Sequence, residues 1–362
     1  MADYFPRLPE PLTHHILSFL PFKEIGRTCV LSKYWNSIWC NYPNLDFYMV
    51  EKDVNNWAKE NPEKALFDYV KNSFDKFLDG RPFIQKFCLQ IECCTMGRGL
   101  TRKLDRWLRV SVNKNVARLV LRTKNLLSPF RYSVPQHVFI AQTLEVLDLF
   151  WCTLDTDCIV RIDLPRLELL SLSHCWNSGD KLLQKIVCGS PKSKHIVISW
   201  CQGGQPMHSI SVPKLVSVAM RLEVLDLSVC TLEEHRFVGI GFPCLEKVFF
   251  KNCKFVGNNL LERILSACGP SMKHISISWC KGIGRSLSVS CKPLLKGFFL
   301  RCDDEFERIK IDAPSLRTFS YESTNAACVI DLMSCTNLEN LYGSIGKSLN
   351  HPASALLLLH KI

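Results

Sequence analysis

The sequence has 362 residues, 47% of them hydrophobic, and a formal net charge of +11 at pH 7, so it can bury a large core in about two or three structural units. No window reaches the roughly 18 uninterrupted apolar residues of a membrane helix, and the start, MADYFPRLPEPL, has neither the basic beginning nor the apolar run of a secretory signal. The 19 cysteines are an odd number and no N-glycosylation sequon is present, so the composition predicts a reduced protein of the nucleus, the cytoplasm or both.

The first 47 residues predict three short helices. Pro11 suits the first turn of the first helix, and Pro21 ends that helix. Apolar residues lie along one side of it: Leu12, Ile16, Leu17 and Leu20. A second helix is expected over about 23–31, and Ser32 is a suitable N-cap for a third helix that contains two tryptophans. So small a helical unit exposes apolar surface when it stands alone, which predicts a binding partner.

A helical linker is expected over residues 48–83. Its segment PEKALFDYVKNSFDKFLDG, residues 62–80, places apolar side chains at the spacing of one helix face. This helix is predicted to cover the open N-terminal end of the repeats that follow, without a separate function of its own.

Repeated phrases begin downstream of the linker. LEVLDLFWC (residues 144–152) returns as LEVLDLSVC (residues 222–230), and HIVISWC, which ends at Cys201, returns as HISISWC, which ends at Cys280. The chain therefore duplicates a unit of about 78 residues, and each copy contains three shorter L-x-x-L-x-L-x-x-C repeats. These repeats end in what we name the ladder cysteines, 23 to 29 residues apart: Cys152, Cys175, Cys201, Cys230, Cys253 and Cys280.

This pattern and spacing are typical of the leucine-rich repeat. The alternating leucines indicate a short strand with its apolar side chains turned inward, and the cysteine follows at the bend. The ladder cysteines are therefore predicted to be buried, reduced and free of metal, since no C-x-x-C or H-x₃₋₅-H spacing favours a zinc site.

Weaker repeats extend the array over residues 84–345, with about ten parallel strands on the concave face and helices and loops on the convex face. The predicted fold class is α/β: a small three-helix N-terminal unit followed by a leucine-rich-repeat solenoid. KLVSVAM, residues 214–220, breaks the pattern. It looks like a strand, yet RLEVLDL begins immediately after it, so either a strand is displaced or a connecting segment is missing at the Met220–Arg221 junction.

The C-terminal tail, residues 346–362, is also unusual. Its sequence ASALLLLHKI offers no polar capping repeat, although solenoids need a capped end to stay soluble. A truncated or mispredicted C-terminus is the expectation here.

Several motifs of the N-terminal helices point to a known family. They are Leu8-Pro9-Glu10, the run Ile16-Leu17-Ser18-Phe19-Leu20-Pro21, the run Val30-Leu31-Ser32-Lys33, and Trp35 and Trp39. Together they strongly resemble the F-box of plant F-box/leucine-rich-repeat proteins, with the F-box placed at residues 1–47. Pro11 stands where many F-boxes have an acidic residue, but the first turn of a helix tolerates proline.

The resemblance implies a substrate receptor of an SCF-type cullin ubiquitin ligase. In that family the F-box docks on a Skp-type adaptor, which joins the cullin and the RING subunit, and the repeats capture a protein substrate. Carried over by position, the residues implied to contact the adaptor are Leu8, Pro9, Ile16, Leu17, Leu20, Pro21, Val30, Leu31, Ser32 and Trp35. The alternative for Leu17, Leu20 and Val30 is that they only hold the three helices together.

The outward positions of the repeats predict the substrate surface. In each L-x-x-L-x-L-x-x-C repeat the fifth and seventh residues point away from the core, onto the concave face. The candidate substrate-binding residues on or beside this face are Asp148, Phe150, Trp151, Trp200, Asp226, Phe249, Lys251, Trp279, Phe299 and Arg301. The alternative for the tryptophans is that they pack over neighbouring repeats.

No catalytic motif is present, so the chain is expected to be non-catalytic and to need no cofactor. The histidines, including His195 and His274, are interpreted as structural or solvated.

All of the excess positive charge lies beyond the predicted F-box. Two alternative functions stay open. One is a basic leucine-rich-repeat protein that binds nucleic acid or a small ligand, although no nucleic-acid reader motif is present; the other is an F-box protein that acts without degradation. No membrane partner is expected.

Overall fold

The chain divides into two units, residues 1–152 and 153–362, in the computed structural model. The structure describes residues 7–50, 84–93, 98–125, 131–177, 180–203, 208–209, 215, 218–237, 239–302, 306–323 and 328–345. The predicted linker helix at 62–80 and the predicted tail at 346–362 lie outside the described residues.

The first unit begins with the three predicted helices. They are α1 (Glu10–Leu17), α2 (Phe22–Arg27) and α3 (Lys33–Asn41). Pro11 lies in the first turn of α1, where a missing N–H costs nothing. Ser32 caps α3, because its Oγ accepts a hydrogen bond from the Trp35 N–H at 3.3 Å. The second helix is shorter than predicted, since α2 ends at Arg27 and the chain continues as a 3₁₀ turn over Thr28–Val30.

The core of these helices is one thin apolar layer. Its buried side chains are Leu17, Phe22, Ile25, Trp35 and Ile38. The ring of Phe22 packs edge-on against Phe47, with the centroids 5.1 Å apart, and Phe47 in turn contacts Phe87 at 6.3 Å. The helices therefore rest on the strands that follow them in the same unit.

Those strands form a parallel sheet. Their bounds are β1 (Asn44–Val50), β2 (Lys86–Cys93), β3 (Arg118–Asn125) and β5 (Val146–Phe150). Helix α4 spans Arg98–Asn113, and the short strand β4 (Tyr132–Ser133) belongs to a separate sheet of short strands. Within the unit β1 pairs with β2, β2 with β3 and β3 with β5. Strand β1 was not predicted: it begins inside the predicted F-box, because Leu45 and Phe47 alternate into the core as a sheet strand requires.

The second unit is built from repeats of a long strand followed by a short one. Its elements are β6 (Cys152–Leu154), β7 (Leu169–Ser173), β8 (Trp176–Asn177), α5 (Asp180–Cys188), β9 (His195–Ser199), β10 (Gln202–Gly203), β11 (His208–Ser209), β12 (Val224–Ser228), β13 (Thr231–Glu233), β14 (Lys247–Lys251), β15 (Lys254–Val256), α6 (Leu260–Ala267), β16 (His274–Ser278), β17 (Ser286–Val289), β18 (Gly297–Cys302), β19 (Arg308–Ile311), β20 (Thr318–Ser323), β21 (Val329–Asp331) and β22 (Asn340–Ile345).

One parallel sheet runs through this unit in the order β7-β9-β12-β14-β16-β18-β20-β22. The short strands pair separately, for example β13 with β15 and β17 with β19. Burial alternates along the long strands, so that on β14 Val248 and Phe250 are inaccessible while their neighbours on the strand face outward. The predicted α/β leucine-rich-repeat fold, with parallel strands and few helices, is confirmed.

The ladder cysteines are all buried, as predicted. Their thiols donate hydrogen bonds to backbone carbonyls at the bends. The Cys253 Sγ, for example, lies 3.2 Å from the Leu227 oxygen of the preceding repeat and 3.5 Å from the Lys251 oxygen of its own strand. A small side chain with a weak donor therefore satisfies carbonyls that the tight bend leaves inside the protein.

The residue before each ladder cysteine adopts the left-handed backbone conformation. These residues are Trp151, His174, Trp200, Val229, Asn252 and Trp279, with φ between 53° and 60° except for Asn252 at 51°. In the second unit their N–H groups continue the sheet: the Val229 N–H donates to the Lys251 oxygen at 2.8 Å, and the Asn252 N–H donates to the Ser278 oxygen at 2.8 Å. The hydrogen bonds of the repeat therefore hold φ in the left-handed region at this position, whichever residue occupies it.

Replacement of Val229 by asparagine is expected to stabilise the protein. A β-branched residue in the left-handed region costs roughly 1–2 kcal/mol, whereas asparagine tolerates it, so Val229→Asn should raise the free energy of unfolding by about 1 kcal/mol. The urea midpoint should increase with no change in the m-value. The matched control is Asn252→Val, which makes the opposite change at the equivalent bend and should lower the midpoint. A lower midpoint for Val229→Asn would contradict the strain assigned to this bend.

The segment KLVSVAM is not a sheet strand in its described part, so that prediction is wrong. Residues 218–221 form a turn, in which the Leu222 N–H donates to the Val218 oxygen at 3.0 Å. Leu215, Val218 and Ala219 are buried at the spacing of a helical turn, which is why an apolar run here does not extend into a strand. Strand β12 pairs directly with β9, so no strand is displaced between them.

Candidate functional site

The three N-terminal helices expose a group of large apolar side chains, which we name the apolar helix surface. Its members and their exposed fractions are Val30 (83%), Phe19 (76%), Leu31 (67%), Leu12 (51%), Leu20 (44%), Ile16 (42%) and Leu8 (36%). Side chains of this size are normally covered when they occur together, so the group is a candidate interface. The thin core explains the exposure, because short helices cannot bury apolar side chains on two sides.

Eight of the ten residues that the resemblance implied for adaptor contact are exposed. They are Leu8, Pro9, Ile16, Leu20, Pro21, Val30, Leu31 and Ser32. The other two, Leu17 and Trp35, are only 2% and 8% exposed and lie in the core of the helices. The position of Leu17 agrees with the alternative interpretation, in which it only holds the helices together. Leu20 and Val30, in contrast, are exposed to solvent. That any of these residues contacts an adaptor remains a prediction.

Two members of the apolar helix surface were missed by the implied adaptor set, Leu12 and Phe19. A signal for them was present in the sequence. Leu12, Ile16 and Phe19 follow the i, i+4, i+7 spacing of one helix face, and α1 continues through a turn to Phe19, whose N–H donates to the Ile16 oxygen at 3.3 Å.

Comparison with known families matches both parts of the chain. Residues 5–47 match the family described as "F-box domain", and residues 104–226 match the family described as "FBD-associated F-box protein At5g56370, LRR repeats". The relatives come from Arabidopsis thaliana, and one is "F-box/LRR-repeat protein At3g58900", 32% identical over 48% of this chain. Both parts of the chain are thus similar to plant F-box/leucine-rich-repeat proteins.

Two further relatives bear related names. "F-box/LRR-repeat protein At4g14103" is 31% identical over 59% of this chain, and "Putative FBD-associated F-box protein At5g53635" is 28% identical over 92% of it. The matches cover 51% of the first relative, 54% of the second and 78% of the third. The chain thus spans about half the length of several curated relatives that it matches. The two family matches place an F-box region before leucine-rich repeats in this chain.

The long strands of the second unit turn one set of side chains outward, and we name this side of the sheet the open face. It carries the outward side chains of the long strands, in register from strand to strand. On β14 these are Lys247, Phe249 and Lys251, and on β18 Phe299 and Arg301 point the same way. The predicted outward register of Phe249, Lys251, Phe299 and Arg301 is confirmed by the alternation of burial.

Three rings meet on the open face and form what we name the aromatic row. The ring of His274 lies between Phe249 and Phe299, with its centroid 5.4 Å from the first and 5.0 Å from the second. Gly297 leaves room for it, because a Cβ there would lie 2.8 Å from the His274 Nδ1. Burial and then the charge of Lys247 lower the pKa of His274, so the ring is neutral at pH 7. His274, interpreted from sequence as structural or solvated, is in fact the centre of this row.

A second feature, which we name the basic notch, lies beside the aromatic row. Lys251, Ser278 and Arg301 stand in register on β14, β16 and β18. The Arg301 guanidinium pairs with Glu322 at 2.8 Å and covers the Trp279 ring, 4.1 Å from its centroid. The structure thus brings together five of the predicted substrate residues: Phe249, Lys251, Trp279, Phe299 and Arg301.

Asp226 borders this group, because it lies in register with Phe249 on the neighbouring strand. Burial raises the pKa of its carboxyl group, and the charge of Lys251 acts in the opposite direction. The remaining predicted substrate residues lie elsewhere. Trp200 stacks on His174 with the ring centroids 5.8 Å apart, at the end of β9. Trp200 and Trp279 keep 44% and 37% of their surface exposed, and each packs on a side chain of a neighbouring repeat, as the alternative interpretation predicted.

Asp148, Phe150 and Trp151 belong to the first unit, where the charged groups are already paired. Asp148 accepts a hydrogen bond from Arg122 at 2.7 Å, and the Arg131 guanidinium lies 4.5 Å from the centre of the Trp151 ring. Asp148 and Trp151 are therefore already in contact with arginine side chains inside the first unit.

Neither a metal cluster nor a membrane helix is found in the part of the chain that the structure describes. No group of three or more His, Cys, Asp or Glu side chains there is placed to hold a metal ion. None of the described helices has the length and apolar character needed to cross a bilayer. The groups that the structure does bring together are suited to contact with another protein.

Proposed function

We propose that this protein is the substrate-recognition subunit of an SCF-type cullin ubiquitin ligase. The F-box would dock on a Skp-type adaptor, which links it to the cullin and the RING subunit, and the repeats would capture a protein for ubiquitination. One observation carries the proposal: helices that match an F-box domain expose seven large apolar side chains, while other apolar side chains of the same helices are buried.

Docking of the apolar helix surface has a clear driving force. Removal of apolar surface from water is worth about 25 cal/mol per Å², and a buried leucine or valine side chain contributes roughly 1.5–3 kcal/mol. Val30 ends the 3₁₀ turn and Leu31 follows it, and both are exposed, so a partner can cover both without disturbing the core. The residues below them, Leu17 and Trp35, support this surface and are not expected to touch the partner.

Substrate capture is assigned to the repeats for a different reason. The open face of the second unit combines exposed aromatic rings with arginine and lysine, the residue types that supply much of the binding energy in protein interfaces. In this proposal the protein positions a substrate, and other subunits perform the chemistry of ubiquitin transfer.

The full chain is expected to form a one-to-one complex with a Skp-type adaptor. Size-exclusion chromatography of the mixed proteins should show co-elution, and addition of the cullin and RING subunits should yield a larger complex. Proteins captured from cells should accumulate when the proteasome is inhibited. Separate elution of the chain and every adaptor tested would contradict the proposal, whereas co-elution without accumulation would indicate an F-box protein that acts without degradation.

A further inference from the structure

We propose that the open face of β14, β16 and β18 binds an extended, acidic segment of the substrate that also presents an apolar side chain. This inference rests on the proposed function, because it names the class of protein segment that the repeats capture. Two neighbouring features of the face support it, the aromatic row and the basic notch.

The aromatic row offers a platform for an apolar side chain. Its three rings touch one another across adjacent strands, and the neutral His274 adds no charge between Phe249 and Phe299. All three side chains are partly exposed, so the row has an apolar surface that water covers in the unbound protein. A platform of this kind favours an aromatic or branched apolar side chain, whose burial displaces that water.

The basic notch is suited to a carboxylate. Ser278 is short and stands between the longer Lys251 and Arg301, so an ammonium, a hydroxyl and a guanidinium group lie at one register position on three adjacent strands. Lys251 is exposed and makes no salt bridge within the described residues. The charge of Arg301 is offset by Glu322, and Lys251, whose charge acts on Asp226 without a salt bridge, is the cation left to match one substrate carboxylate.

The spacing of the two features selects an extended segment. Phe249 and Lys251 are separated by one residue on the same strand, so their side chains are about 7 Å apart along the face. Alternate side chains of an extended peptide have the same spacing. A segment with an apolar residue and an aspartate or glutamate two positions away can therefore reach the row and the notch together.

Carboxyl groups on both flanks make nucleic acid a poorer fit. Asp226 lies in register beside Phe249, and Glu322 lies in register beside Arg301. A phosphate backbone would place repeated negative charges near both, and like charges at that distance repel. An acidic protein segment can instead place its charge at the notch and its apolar groups elsewhere.

Binding of two synthetic polymers tests the inference. We expect the full chain to bind a fluorescent random copolymer of glutamate and tyrosine and not a copolymer of lysine and tyrosine. Lys251→Glu should weaken the interaction roughly tenfold or more, because it replaces attraction with repulsion at the notch. Phe299→Ala should cause a comparable loss by removing one ring of the row. Fluorescence anisotropy measures both affinities.

Lys310→Glu is the matched control. Lys310 is exposed on β19, a strand of the short-strand ladder, so this variant makes the same change in net charge away from the open face. It should bind the copolymer as the unaltered chain does. Equal losses for Lys251→Glu and Lys310→Glu, absence of copolymer binding, or tighter binding of a single-stranded oligothymidylate would each overturn the inference.

Adaptor binding, measured on the same variants, separates this inference from the proposed function. Lys251→Glu and Phe299→Ala should retain normal adaptor affinity and a normal urea midpoint. A chain that binds the acidic copolymer but no adaptor would refute the SCF assignment and leave the site intact. Adaptor binding without copolymer binding would refute the site for an acidic segment and leave the SCF assignment intact.

Discussion

Leu31→Asp is expected to abolish binding of the Skp-type adaptor and to leave the urea midpoint almost unchanged. Leu31 is 67% exposed, so an aspartate there costs the free chain little. In the complex, the change would remove the burial of an apolar side chain and force a carboxylate out of water. Together these terms amount to at least about 3 kcal/mol, or more than a hundredfold in affinity.

Titration of the adaptor into the full chain measures the effect, and Met333→Asp supplies the control. Met333 is equally exposed, at 67%, and lies in the second unit, so its replacement makes the same chemical change outside the F-box. Its adaptor affinity should be normal. Leu17→Asp should differ from both, because a buried charge should unfold the helices and lower the midpoint. Normal adaptor binding by Leu31→Asp would show that the apolar helix surface is not the docking site.

The ladder cysteines are expected to react with iodoacetamide at least about a thousandfold more slowly than the exposed Cys244 and Cys291. Each ladder thiol must wait for an opening of the repeat, and core openings of about 4 kcal/mol or more are rare enough to give that ratio. Burial also raises the pKa of Cys152 to about 12, which lowers the fraction of reactive thiolate at neutral pH.

Mass spectrometry of the alkylated peptides resolves these rates residue by residue. Addition of urea should make all the cysteines react at similar rates. Rapid labelling of the exposed Cys244 and Cys291 in native buffer shows that the reagent is active. Fast native labelling of the ladder, stoichiometric zinc or a defined set of disulfides would show that the bends are not closed. Reduced thiols are what a protein of the nucleus or cytoplasm should carry.

The repeat fold could be predicted because its signal is local and periodic. Alternating apolar residues followed by cysteine specify an inward strand and a bend, and duplicated phrases such as HIVISWC and HISISWC confirm each other within one chain. The left-handed bend itself was not predicted. It is imposed by hydrogen bonds to the next strand, and the residues at it, including Val229 and Trp279, have no common propensity for that conformation.

The candidate sites could be predicted only in part, because surface and core share residue types. Helical spacing placed Leu17 beside Ile16 and Leu20 but could not show that one faces inward and the others outward. The aromatic row depends on His274, which occupies the first outward position of its strand and reaches the row only because Gly297 lacks a side chain. His274 and Gly297 lie on different strands, so no local sequence pattern predicts their contact.

Strand β1 has a consequence for how such proteins can be recombined. It starts at Asn44, directly after the last F-box helix, and its hydrogen bonds to β2 run through Val50. A chimaera that joins the F-box of one relative to the repeats of another at residue 47 would cut through a paired strand and separate Phe47 from its partner Phe87. Exchange between family members is therefore expected to succeed when the crossover lies before Asn44 with a matched Phe22, and to fail within the strand.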